Sequence, residues 1–146
     1  MNDKNKINLN IGFIGMSHIG QNSSVVAAEK VTKVTWYDKD KKLISNLQKQ
    51  ISEIDEPQLS AMMKKNCDDI VYTSNIKHLI DCDIIYLSKD VPTNDKGKSE
   101  LKVISNLINN IYINLSEEPF FVILCQVPSG FTRKLENKFK NLYYQV

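Results

Sequence analysis

The chain has 146 residues, enough for one domain with a proper core, and its 42% hydrophobic and 25% charged residues describe a globular protein. A net charge of +2 argues against nucleic acid or an anionic membrane as partner, and the longest unbroken apolar run, Phe120 to Cys125, is far too short to span a bilayer. Residues 1–10 are polar, so no secretory signal is expected, and the three cysteines (Cys67, Cys82, Cys125) lack any C-x-x-C, which points to a reducing cytoplasm rather than to disulfides or zinc.

In chain order, residues 1–7 read as a polar lead and Asn8 to Ile14 as the first strand. A helix is predicted from about Ile19 to Lys30, then a strand over Val31 to Tyr37, where Val31, Val34 and Trp36 alternate with polar residues. Leu43, Ile44, Leu47, Ile51 and Ile54 recur at helical spacing and predict a helix from about Asp40. Pro57 interrupts, and Leu59, Met62 and Met63 mark a short helix ending near Asn66, with the methionines as core filler. Ile70 to Tyr72 is a short strand, followed by a small helix that Thr73-Ser74-Asn75 would cap. Asp83 to Leu87 is a buried strand, and Lys89 to Lys98 a polar loop. Leu101, Ile104, Leu107, Ile108, Ile111 and Leu115 define a long amphipathic helix. Phe120 to Cys125 is the most apolar strand. Val127-Pro128-Ser129-Gly130 turns into a helix with Phe131, Leu135 and Phe139 on one face, and Leu142 to Val146 begins a sixth strand, whose open edge suits pairing with another chain.

Strands alternate with helices throughout. That predicts a Rossmann-type α/β fold, a doubly wound parallel sheet in three α/β/α layers with strand order 3-2-1-4-5-6. Any ligand would sit at the carboxyl ends of strands one and four.

The stretch Ile11-Gly12-Phe13-Ile14-Gly15-Met16-Ser17-His18-Ile19-Gly20 has the layout of a dinucleotide-binding turn from strand to helix, where a pyrophosphate meets free backbone N–H groups. The G-x-G-x-x-G pattern is incomplete, because Ser17 replaces the middle glycine and adds a side chain where backbone meets phosphate. The alternative is an ordinary turn that uses glycine only for its geometry. Asp38 ends strand two at close to the ~20-residue interval expected for a ribose-binding acid. Its carboxylate would accept ribose hydroxyls and repel a 2′-phosphate, favouring NAD over NADP; otherwise it is a solvated acid among lysines. His18 and His78 read as solvent-facing, His18 without an acid partner in sequence. Cys125 reads as a packed, inert thiol. No catalytic residue and no metal site is read in the chain.

Five ordered blocks resemble the N-terminal domain of the UDP-glucose/GDP-mannose dehydrogenase family, over nearly the whole chain from Ile11 to Val146. They are Ile11 to Gly20; Trp36-Tyr37-Asp38-Lys39-Asp40; Asp55-Glu56-Pro57-Gln58-Leu59, similar to an E-P-x-L block; Val91-Pro92-Thr93-Asn94-Asp95-Lys96-Gly97; and Gln126-Val127-Pro128-Ser129-Gly130-Phe131-Thr132, similar to V-P-x-G-T. The family oxidises C6 of a nucleotide sugar from alcohol to carboxylate with two NAD in succession. The resemblance implies that Gly15, Ile19 and Gly20 meet the pyrophosphate and Asp38 the ribose, with Ser17, His18, Val91 and Gln126 also at the cofactor. Four positions depart from the pattern: Ser17 for glycine, Leu43 for a basic residue, and Val91 and Gln126 for threonines.

The resulting expectation is one NAD-binding domain over residues 1–146, its last strand cut short and the sugar-binding and catalytic domains outside it. A nucleotide sugar would be the substrate of the whole enzyme. The open edge suits a second copy or a C-terminal catalytic half. Two rivals share the fold: the cofactor domain of a β-hydroxyacid dehydrogenase, and a non-catalytic binding or assembly module.

Overall fold

The computed structural model describes residues 6–95, 99–115, 119–135 and 138–145. Its centre is a six-stranded, wholly parallel sheet in the order β3-β2-β1-β4-β5-β6. The strands are β1 (Ile7–Ile14), β2 (Val31–Tyr37), β3 (Ile70–Thr73), β4 (Ile84–Leu87), β5 (Phe120–Ile123) and β6 (Leu142–Tyr144). The helices are α1 (His18–Ala28), α2 (Lys41–Gln48), α3 (Leu59–Lys65) and α4 (Leu101–Asn114), with a 3₁₀ turn at Ile76–Leu79. The expected strand order is the one observed.

Alternation along the strands divides the core between the two faces. Ile11 and Phe13 of β1 join Val34 and Trp36 of β2 under Val25 and Ala28 of α1, Leu47 of α2 and Met63 of α3. Ile14 faces the other way, with Ile85, Leu87, Phe121 and Ile123, under Ile104, Ile108 and Ile111 of α4. The first three strands are thus wound on one face and the next three on the other. The winding reverses between β1 and β4, which are hydrogen-bonded neighbours from Ile11–Ile84 to Ile14–Leu87. In open parallel sheets that reversal leaves a crevice at the carboxyl ends.

Two elements differ from expectation. Helix α2 stops at Gln48 instead of running on to Ile54. The amide of Gln50 donates to Leu47 O at 2.8 Å and that of Ile51 to Asn46 O at 3.0 Å, the paired bonds of a Schellman stop. Gln50 takes the left-handed residue's place at φ 61°, so Ile51 is exposed and Ile54 reaches the core from the loop. The helix expected after Gly130 is a run of turns among the described residues. Its bonds mix three- and four-residue spans: Leu135 N to Thr132 O at 2.8 Å, Lys134 N to Gly130 O at 3.2 Å. The apolar face is as expected, since Phe131 and Phe139 are buried and Leu135 packs against them.

Candidate functional site

The crevice is built around Gly15. Strand β1 ends at Ile14, and Gly15 turns at φ +83°, a conformation that disfavours any Cβ. A Cβ here would stand 2.6 Å from the Cα of Lys89, so the turn lies directly against the residue that follows β4 and Ser88. Gly20 allows the second close approach: its Cβ would stand 2.6 Å from Gly15 O and 2.4 Å from Ser88 Oγ. Both glycines are where the incomplete motif placed them, and both are needed sterically.

Ser17 behaves differently from expectation. Its hydroxyl is turned inward, donates to Ser88 O and accepts from the Gly20 amide at 3.3 Å, capping α1. The hydroxyl is thus held by Ser88 and Gly20 rather than projecting from the turn. The cap uses one of the amides at the helix start and leaves those of His18 and Ile19 without an intrahelical acceptor. Ser88, 1% exposed, completes the lock by donating to Gly15 O at 2.7 Å. Nothing in the sequence reading singled out Ser88. The signal was a small polar residue closing a buried strand opposite a glycine turn.

Asp38 is not a solvated acid. It is 6% exposed at the end of β2. Oδ1 accepts from the Asp40 amide at 3.0 Å, Oδ2 accepts from the Met16 amide at 3.4 Å, and Lys89 Nζ lies 3.9 Å from Oδ2. Asp40 serves a different purpose: its Oδ1 caps α2 through the amides of Lys42 and Leu43. Burial, and then the Asp38 charge, push the neighbouring Tyr37 hydroxyl above its ordinary pKa.

Two clefts of about 440 Å³ each open on either side of the turn. The first lies between Gly15, Tyr37, Asp38 and the Val103, Asn106 and Asn110 positions of α4. The second lies between His18, Ile19, Val91, Thr93 and Gln126. Lys89 borders both. Of the residues expected at the site, Gly15 and Asp38 line the first cleft; His18, Ile19, Val91 and Gln126 line the second. Ser17 and Gly20 form the packed floor between helix and turn.

His18 faces solvent, as read, but it begins α1 and its Nε2 pairs with Glu56, an acid partner that sequence distance had hidden. The loop after α2 folds back over the turn, where Ser52 Oγ donates to Gln21 Oε1 at 2.7 Å and Gln21 Nε2 to Met16 O at 3.0 Å. The Glu56-Pro57 block therefore has a place beside the crevice. His78 is exposed, as read. Cys125 is buried at the back of the second cleft, and burial pushes its thiol up to about 11, which keeps it protonated and unreactive. No group of three or more metal-ligating side chains occurs among the described residues. No helix among them is long and apolar enough to cross a membrane.

A family model describing the NAD-binding domain of the UDP-glucose/GDP-mannose dehydrogenases matches residues 9–143. The UDP-glucose 6-dehydrogenase of Rickettsia conorii is 30% identical over 125 residues, covering 84% of this chain and 29% of the relative. That of Bacillus subtilis is 31% identical over 125 residues, covering 84% and 28%. The chain thus spans less than a third of the length of these relatives. Among solved structures, a UDP-D-ManNAc dehydrogenase from Pyrococcus horikoshii superposes with a TM-score of 0.83 at 18% identity, over 93% of this chain and 35% of that one. GDP-mannose dehydrogenase from Pseudomonas aeruginosa gives 0.81 at 19% identity, over 92% and 34%. These likenesses show a Rossmann-type fold. The chain belongs to the UDP-glucose/GDP-mannose dehydrogenase family, in which it corresponds to the NAD-binding domain.

Proposed function

We propose that this chain holds NAD across the crevice and serves as the cofactor domain of a cytoplasmic nucleotide-sugar 6-dehydrogenase. The observation that carries this reading is the buried Asp38 carboxylate, fixed at the lip of a cleft that begins at the left-handed Gly15 turn. The residues fit a dinucleotide. Gly15 and Gly20 keep Cβ atoms out of a space too tight to hold them. The amides of His18 and Ile19 provide donors at the start of α1 for a pyrophosphate. Asp38 accepts the adenosine ribose hydroxyls and disfavours a 2′-phosphate by like charge. Val91 and Gln126 border the nicotinamide side.

When bound, NAD accepts the hydride; the chain's own part is binding and orientation. Residues 1–146 form a single cofactor domain in this reading. The sugar pocket, general base and thiol nucleophile belong to further protein, since Cys125 is buried and protonated. The substrate is a nucleotide sugar, oxidised at C6 from alcohol to carboxylate. NADH and NADPH fluorescence titrations test the reading. Saturable NADH binding with much weaker NADPH binding is expected, and Asp38→Ala should erase the difference. Equal affinity for the two in the unaltered chain would overturn the role of Asp38, and no saturable binding would overturn the cofactor domain.

A further inference from the structure

Lys89 lies in none of the blocks that resemble the family, yet it borders both clefts. Its backbone is wedged under Gly15, where any Cβ would strike its Cα, so the lysine's root is held against the turn. Its side chain is half-buried and its ammonium is 3.9 Å from Asp38 Oδ2. That distance is too long for a hydrogen bond, so the ammonium is drawn to the carboxylate without being locked to it. Lys39, the other cation at the first cleft, is exposed and borders only that cleft.

A ligand spanning both clefts must pass Lys89. If that ligand is a dinucleotide, its charged middle passes there, because base and ribose occupy one side and the second nucleoside the other. Ser17 Oγ already accepts from the Gly20 amide of α1 as its cap, which thins the donors available to an anion. A mobile cation on a four-carbon arm, rooted at the turn, offsets that loss. It also gives the buried Asp38 an opposite charge before any ribose arrives.

We propose that Lys89 is a cofactor-binding residue, whose ammonium neutralises Asp38 in the free protein and meets the pyrophosphate of the dinucleotide in the complex. This rests on reading the crevice as the NAD site. Calorimetry with NAD and with adenosine tests it, on the unaltered chain, Lys89→Met and Lys89→Arg at several salt concentrations. Lys89→Met should weaken NAD about tenfold and flatten the fall of affinity with salt, since one charge contact is gone. Adenosine, which has no phosphate, should bind within about threefold of the unaltered chain, and Lys89→Arg should restore most NAD affinity. Unchanged NAD affinity and salt dependence in Lys89→Met would overturn the proposal and leave the cofactor reading standing. Equal weakening of NAD and adenosine would overturn it too, by showing that the lysine acts through Asp38 or the fold. An unaltered chain that takes adenosine but not NAD would overturn both readings.

Discussion

The two clefts share the Gly15–Gly20 segment and Lys89, and differ in the elements that frame the rest of them. The first is framed by regular elements: the ends of β1 and β2, and one side of α4. Its one buried acid is held by backbone amides. The second is framed by the loops that follow β4 and β5 and by the first turn of α1. Rigid elements place groups more accurately than loops. On the proposed reading, the first cleft would recognise the adenosine end of the cofactor, while the second, framed by loops, would take the nicotinamide end.

The largest expected effect is on the shared wall. Gly15→Ala combines a left-handed backbone with a Cβ against Lys89, and should cost on the order of 3 kcal/mol in chemical denaturation. Both clefts should fail together. Asp38→Asn separates them: NAD should bind about tenfold or more weakly by calorimetry, while nicotinamide mononucleotide keeps its affinity. Equal losses for both ligands would dissolve the distinction between the clefts.

The thiol behind the second cleft gives a pH test. Burial raises the pKa of Cys125, and of Cys82, from 9.0 to about 11. An unfolded chain releases these protons first, so the stability they carry is complete below pH 9 and falls as pH rises towards 11. Cys125→Ala should flatten that fall, measured by urea denaturation across the range. The smallest effect belongs to Ser17→Gly. Because the hydroxyl faces inward, NAD affinity should stay within about threefold, while stability drops by about 1 kcal/mol for the lost cap and the bond to Ser88.

What was legible follows the same division. Gly15, Gly20 and Asp38 sit at strand ends whose spacing is set by the repeat of strand and helix, so their positions could be read along the chain. The D-x-D pair was visible too, though only the structure separates its duties, Asp38 to the cleft and Asp40 to the cap of α2. Contacts between distant loops were hidden. Glu56 reaches His18 because α2 stops early at Gln48, and a non-glycine residue such as Gln50 in the left-handed position leaves little trace in sequence. The inward turn of Ser17 depends on Ser88, a partner from the other half of the sheet. Lys89 drew no attention because its neighbours, Gly15 and Asp38, come together only through the β1–β4 pairing.

The most direct measurement is an amide chemical-shift map of the isotope-labelled chain titrated with NAD. The account predicts saturable shifts at Gly15, His18, Ile19, Gly20, Asp38 and Lys89, with further shifts at Asn106 and Asn110 of α4. A third depression runs along α1, meeting the second cleft at Ile19 and Leu124 and bordered farther away by Ile11, Val26 and Tyr86. Shifts clustered there, or no saturable shifts at all, would contradict the placement of the cofactor between β1 and β4.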